Sequence, residues 1–410
     1  MNGLPRLKLL LLMPQLPYPP DQGTSLRNFY IVRGLAESHE VHLLSFAGPR
    51  ERSTAKPLEQ FCAQITTVPL PERTFGQRLW RLLVDPRPDM AHRLESALFG
   101  AALRKLLKKQ RFDIVQIEGI ELAAMLTTIR DLQPECRIVF DDHNAEAELQ
   151  RRMAVTDLGR PSGWVGAAYS FVQWRRLRRF EGWVCRQSDG VSVVSEADRQ
   201  HLRDLAPELD PMVIPNCIDL EEYRDISSRY ADEQRYDLLF VGKMDYRPNV
   251  DAILWFAGEI WPLIRTSAPH LRFAVLGKQP HPRLRSLTNV PGICVIGAVP
   301  DINPFLANAR VYVLPFRIGS GTRLKLIEAF ASGIPTVSTR IGAEGYPLED
   351  RQHILLADSP NLFAEAVLLL LRDDRLRERL QANALAFAQQ YDWRRIVPRF
   401  DDLYRRVLGA

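Results

Sequence analysis

Short runs of Leu, Ile, Val and Phe alternate with longer amphipathic stretches along nearly the whole chain. A parallel strand covered by helices on both faces has no polar side, so it reads as a continuous apolar run rather than an alternation. On this pattern the first half predicts strands over 7–13, 41–46, 65–68, 113–117, 137–141 and 190–194. The second half restarts it, with strands predicted over 237–241, 272–276, 293–296, 311–314, 336–338 and 354–356. The expectation is an α/β chain of two doubly wound domains in series. The N-terminal domain is placed at 1–212 and the C-terminal one at 213–390, with the polar stretch 219–235 reading as the connection between them. The tail 391–410, carrying Trp393, Phe400 and Tyr404, is expected to form a helix that packs back on the N-terminal domain.

A chain of 410 residues is too long for one ordinary core, which agrees with two domains. The apolar run Leu9 to Met13 stops at Pro14 with no small-residue cleavage site after it, so a buried strand is expected there, not a signal peptide. No apolar stretch is long enough to span a bilayer, and residence in the cytoplasm is the expectation. Cys62, Cys136, Cys185, Cys217 and Cys294 are scattered without the close pairs of zinc or redox motifs, and read as reduced thiols.

The segment 311–333 reads as a strand, a glycine turn and a helix closed by a glycine. Gly319 and Gly321 allow backbone to approach a ligand, and free N–H groups at the start of the following helix favour an anion. Arg323 and Lys325 add charge within the first turns, while Thr322, Lys325, Glu328 and Ser332 fall on one helical face. A diphosphate matches the first turn and a ribose diol matches Glu328. The bland alternative is a surface Lys325–Glu328 pair, although Lys preceding Glu is the weaker orientation. A dinucleotide fingerprint is disfavoured, because Leu324 stands where its third glycine belongs and the turn comes late in the domain.

In the first half, Gly23 ends a proline-rich turn ahead of a helix carrying Arg27 and Asn28. Asp141, Asp142, His143 and Asn144 follow a predicted strand, at the carboxyl edge where open α/β sheets bind ligands. Glu118 ends another strand and is open to two readings, contact with a ligand hydroxyl or capping of the helix beginning near Gly119.

The segment 311–333 resembles the nucleotide-sugar signature of the family 4 glycosyltransferases. Val213-Ile-Pro-Asn-Cys-Ile-Asp219, Phe240-Val-Gly-Lys-Met-Asp-Tyr-Arg-Pro-Asn249 and Gly333-Ile-Pro-Thr-Val-Ser-Thr339 match in the family's order, as do Pro17-Tyr-Pro-Pro-Asp-Gln-Gly23 and His39-Glu-Val-His42. The resemblance implies a GT-B fold, two Rossmann-like domains facing a central cleft, and transfer with retention of anomeric configuration. It implies a UDP- or GDP-sugar donor, a glycan or lipid-linked glycan acceptor, and neither metal nor cofactor; no Asp-x-Asp motif is present. In the family two glutamates hold the donor; Glu328 matches the second, and Ser320 stands at the first. That substitution resembles the Gly-x-Gly-Thr-Arg-Leu-Lys subgroup associated with exopolysaccharide synthesis, in which backbone N–H groups face the sugar. Carried over in this way, Gly23, Gly319, Ser320, Gly321, Thr322, Arg323 and Glu328 bind the donor. Lys243, Arg247 and Lys325 stabilise the departing diphosphate, and His143 serves the reaction from the acceptor side with Glu118, Asp142 and Arg27. Two alternatives stay open: a nucleotide-sugar epimerase of the same architecture, and a partner subunit without chemistry.

The net charge of +5 lies in the N-terminal half. Residues 73–111 are strongly basic, with Phe75, Leu79, Trp80, Leu82, Leu83, Leu103, Leu106 and Leu107 interleaved, and a second basic cluster runs from Trp174 to Phe180. This predicts peripheral contact with an anionic membrane, with Arg104, Lys105, Lys108 and Lys109 among the cations. No nucleic-acid-binding motif accompanies the charge, so nucleic acid is not an expected partner.

Overall fold

A computed structural model describes residues 4–20, 22–48, 56–143, 146–158, 164–231, 234–279, 281–319 and 321–409. The chain divides into two compact units, Met1–Cys217 with Trp393–Ala410, and Ile218–Asp392.

The first unit is built on β1 (Lys8–Met13), β2 (Glu40–Phe46), β3 (Gln64–Val68), β4 (Ile114–Glu118), β5 (Arg137–Asp142), β6 (Gly190–Val193) and β7 (Met212–Val213). They form one parallel sheet in the order β3-β2-β1-β4-β5-β6-β7. Leu9 to Met13 of β1 are all fully buried, the consequence of helices on both sides of a central strand. Around the sheet run α1 (Gly23–Ser38), α2 (Phe75–Val84), α3 (Ala97–Lys109), α4 (Glu146–Leu158), α5 (Trp164–Gln187) and α6 (Glu196–Leu205). The pairing of β7 with β6 keeps 212–213 in this sheet, so the division between units falls at 217/218 and not at the expected 212/213.

The tail joins the first unit through its last helix, Arg399–Leu408, and the turn before it. Trp393 stacks on Tyr30 with ring centroids 6.2 Å apart. His39 accepts the Leu7 backbone N–H at Nδ1 and meets Asp401 at 2.9 Å through Nε2, which pins the tail to the start of the sheet. At Gly190 a Cβ would lie 2.6 Å from Val407 Cγ1, so only glycine lets the last helix approach β6 this closely.

The second unit contains β8 (Tyr236–Val241), β9 (Phe273–Leu276), β10 (Ile293–Gly297), β11 (Ala309–Leu314), β12 (Thr336–Ser338) and β13 (Leu355–Leu356). These too are parallel, in the order β10-β9-β8-β11-β12-β13. In each sheet the order reverses at one place, between β1 and β4 in the first and between β8 and β11 in the second. Loops diverge at the carboxyl ends of such a strand pair and leave a crevice for ligand. Both units are therefore Rossmann-like, and the fold is of the α/β GT-B class. Among the described residues no helix is long and apolar enough to cross a membrane.

Candidate active site

In the second unit the candidate residues gather at the carboxyl ends of β8 and β11. After β11 the chain turns through Gly319 and Gly321 and enters α8 (Leu324–Ala331), so Thr322 and Arg323 precede the helix instead of lying in its first turn. The turn is drawn tightly under Arg323: at Gly319, with φ at +150°, a Cβ would sit 2.1 Å from Arg323 Nη2. Arg323 also donates to the Gly321 carbonyl at 3.1 Å and lies over the Phe316 ring at 4.9 Å. Lys325 is half-buried, donates to Asn249 Oδ1 at 3.1 Å, and stands 4.9 Å and 5.1 Å from the ring centres of Phe240 and Phe316. Burial disfavours its charged form and Arg323 adds repulsion; Glu328 offsets only part of this, and the ammonium pKa falls to about 7.

Glu328 lies one turn further along α8, where its Oε1 accepts the Tyr223 hydroxyl at 3.0 Å. Burial raises its pKa, against the opposing pull of Tyr223 and Lys325. This is a carboxylate held in place by a phenol, not a surface partner of lysine. Lys243 and Arg247 are exposed, Lys243 within 3.6 Å of Asp245, and Arg247 at the start of α7 (Arg247–Trp255). Asn249 links the Lys243 backbone to the half-buried Lys325, because its Nδ2 donates to the Lys243 carbonyl at 2.8 Å while its Oδ1 accepts from Lys325. Sequence reasoning passed over Asn249 and Tyr223. The first sat inside a quoted motif, but the second lies 105 residues from its partner in the chain and gave no local signal. Ser320 lies outside the described residues.

In the first unit, His143 sits just past β5, its Nε2 2.7 Å from Glu118 Oε2 and 3.3 Å from Asp141 Oδ2. Burial works against an imidazolium, but hydrogen bonds and charge from Asp141 and Glu118 outweigh it and hold the pKa up at about 9. Nδ1 has no hydrogen-bond partner among the described residues. Glu118 is fully buried, and its other oxygen accepts from Gln116, which accepts in turn from Tyr404. Burial and the neighbouring Asp141 charge raise the Glu118 pKa. Asp141 is opposed by burial too, but the Arg27 guanidinium and His143 hold it well below the carboxylate range.

These contacts correct three expectations. Arg27 is 1% exposed; it grips both Asp141 oxygens at 2.9 Å and donates to the carbonyls of Ile214 and Pro215. It is an internal clamp with almost no surface to offer a ligand. Glu118 is neither a helix cap nor an exposed contact, because both its oxygens are used within the core. Asp142, one residue on from Asp141 in a strand, points to the opposite side of the sheet. There it is buried, and its pKa is driven well up by desolvation and by Glu181 and Asp198. Gly23 opens α1 directly after Gln22, whose backbone N–H donates to the Ser25 hydroxyl and whose carbonyl accepts from it. Carboxylate and imidazole ligand atoms of Glu118, Asp141 and His143 lie within 4.8 Å of one another, close enough for a metal. The charge a metal would balance is already met by Arg27 and the protonated His143.

Two family models match: "Glycosyltransferase Family 4" over residues 22–222 and "Glycosyl transferases group 1" over residues 235–373. A phosphatidyl-myo-inositol mannosyltransferase of Mycobacterium tuberculosis is 26% identical over 212 residues, 49% of this chain and 55% of the relative. The chain thus spans about half the length of that relative. An uncharacterized 44.6 kDa protein in the cps region of Klebsiella pneumoniae is 21% identical over 95% of this chain and 97% of its own. Among solved structures, sucrose-phosphate synthase from Thermosynechococcus elongatus matches with a TM-score of 0.72 at 17% identity, covering 98% of this chain and 99% of that one. HepE of Anabaena, solved with UDP and glucose, matches with a TM-score of 0.66 at 15% identity, covering 96% and 98%. With both units matched to glycosyltransferase domains and the whole fold to this architecture, the chain is of the GT-B glycosyltransferase class. Within it, the chain belongs to family 4, a family of transferase enzymes.

Proposed function

We propose that the protein transfers a hexosyl group from a UDP- or GDP-sugar to a hydroxyl of a glycan or lipid-linked glycan, with retention, in the assembly of a surface or extracellular polysaccharide. The arrangement at α8 carries this reading: a glycine turn and two cations beside a carboxylate fixed by a phenol. Together they offer positive charge and N–H groups to a pyrophosphate and an acceptor to a ribose diol. The cps-region relative supports the polysaccharide setting, since it is similar over nearly the full length. HepE, solved with UDP and glucose, supports a nucleotide-sugar donor, and the mannosyltransferase supports hexosyl transfer.

Departure of the diphosphate builds negative charge, which Arg323, Lys325 and the start of α8 stabilise more strongly than they do the intact donor. Lys243 and Arg247 supply further charge from the β8 side. With its pKa at about 9, His143 is an imidazolium at neutral pH. It therefore presents an Nδ1–H donor to the acceptor side and is not a base; Glu118 and Asp141 are the groups that position it.

The test incubates the purified protein with UDP- and GDP-hexoses and follows melting temperature and nucleotide release. At least one donor is expected to raise the melting temperature and to be turned over. In Glu328→Gln its KM should rise roughly tenfold or more, the loss of a charged hydrogen-bond acceptor. A panel in which no nucleotide sugar binds removes the proposal, and recovery of an epimerised sugar in place of a glycoside replaces it.

A further inference from the structure

In the second unit the loops that follow β11 and β12 are tied together. Thr339, the residue after β12, donates its hydroxyl hydrogen to the Phe316 carbonyl at 2.5 Å, and its oxygen accepts the Gly342 N–H at 2.9 Å. Its backbone N–H reaches the Leu314 carbonyl at 3.2 Å. Gly342 is held so close that a Cβ there would lie 2.6 Å from that same Leu314 oxygen. The stretch 339–346 is therefore anchored on the strand exit that leads into the glycine turn, and Tyr346 stands at its end. The Tyr346 side chain is buried, its ring edge-on to Tyr391 with centroids 5.3 Å apart.

The Tyr346 hydroxyl is shut off from solvent and faces Thr322, with Arg323 and Glu328 in the same surroundings. The two hydroxyl groups do not reach full hydrogen-bond geometry. The phenol oxygen is thus a buried polar atom without a partner among the described residues, set against the segment between the glycine turn and α8. Such atoms are uncommon, because each gives up its water for no bond in return. Burial, with Tyr391 beside it, raises the phenol pKa, so the group stays a neutral O–H. A threonine hydroxyl has one hydrogen and two lone pairs. When it accepts from a neighbour its own hydrogen is free for another acceptor, and the two bonds strengthen each other. At Thr322, ahead of α8 and next to Arg323, that second acceptor is available in a phosphate oxygen of the donor.

We propose that Tyr346 is a positioning residue for the nucleotide diphosphate, a role that rests on the donor-site reading above: its O–H closes onto Thr322 Oγ1 when the donor binds, and the threonine hydrogen turns to a phosphate oxygen. Calorimetric titration of the full chain with UDP and with GDP tests it. For whichever nucleotide the parent binds, Tyr346→Phe should weaken affinity roughly three- to tenfold, the size of one hydrogen bond. Thr322→Val should weaken it at least as much. Added to Thr322→Val, Tyr346→Phe should have no further effect, and added to Thr322→Ser, which keeps the hydroxyl, it should have its full effect. Melting of the nucleotide-free proteins separates positioning from a structural role. Phenylalanine keeps the ring against Tyr391 and removes only an unbonded oxygen, so Tyr346→Phe should melt at or above the parent's temperature. The proposal is overturned if Tyr346→Phe binds as the parent does, if its effect adds in full to that of Thr322→Val, or if the nucleotide-free variant melts lower in step with its lost affinity. Each of those results leaves the donor site standing, whereas a parent that binds neither nucleotide removes the donor-site reading and the role of Tyr346 with it.

Discussion

Tyr404, on the last helix of the chain, donates its hydroxyl hydrogen to Gln116 Oε1 at 2.6 Å. From there the contacts run inward, Gln116 Nε2 to Glu118 Oε1 at 2.5 Å and His143 Nε2 to Glu118 Oε2 at 2.7 Å. The helix Arg399–Leu408 therefore helps to fix the imidazole of the candidate site. Tyr404→Phe leaves a buried amide oxygen unpaired at unchanged shape. It should cost about 1–3 kcal/mol in urea unfolding and lower turnover a few-fold at unchanged donor KM. A variant matching the parent in both would show that Gln116 finds another donor and that the tail has no hold on His143.

The two sheets were legible because strands buried on both faces leave unbroken apolar runs, and the glycine turn because Gly319 and Gly321 interrupt a strand-to-helix passage. What stayed hidden depends on distance along the chain or on direction. Arg27 and Asp141 lie 114 residues apart, and nothing local marks one as the other's clamp. The apolar stripe of α2 was visible as a period, but a period does not say which face meets the core. In α3 Leu103, Leu106 and Leu107 point inward, whereas in α2 Trp80 and Leu83 point out. Glu118 reads as an exposed strand end until the fold places the tail over it.

His143 makes stability depend on pH in a definite direction. Its folded pKa of about 9 lies above the ordinary value of 6.5, so its contribution is full below pH 6.5 and is lost as pH rises through about 9. Unfolding free energies of the parent and His143→Gln, measured side by side, should converge between those limits by on the order of 1–3 kcal/mol. A constant difference across that window would mean that the imidazole is not held charged by Glu118 and Asp141.

Gly319→Ala probes the turn itself. A methyl group would collide with Arg323 Nη2 and impose a side chain on a φ of +150°, so the loop must open and the guanidinium must leave the Phe316 ring. Donor KM is expected to rise about tenfold or more, on the order of one charged hydrogen bond; Gly319 is buried, so the melting temperature should fall as well, and circular dichroism checks that the variant is folded. Unaltered donor kinetics would place the diphosphate elsewhere.

Lys325 allows a sharper test, because its charge state and its proposed task conflict in the free protein. Burial between two aromatic rings, with Arg323 nearby, brings its pKa down to about 7, so at pH 8 most molecules carry a neutral amine there. A pyrophosphate placed against Nζ favours the ammonium, and binding must then take up a proton. A nucleotide-diphosphate sugar has no ionisation of its own near neutrality, so the proton is attributable to the protein. Calorimetry at pH 8 in buffers of different ionisation heat should show uptake approaching one proton. Affinity should weaken by up to about tenfold per pH unit above 7, the limit for one linked proton. In Lys325→Met both effects should vanish together with much of the affinity. Binding that ignores both pH and buffer would mean that the lysine faces no phosphate, and the electrostatic account of catalysis at α8 would lose its central group.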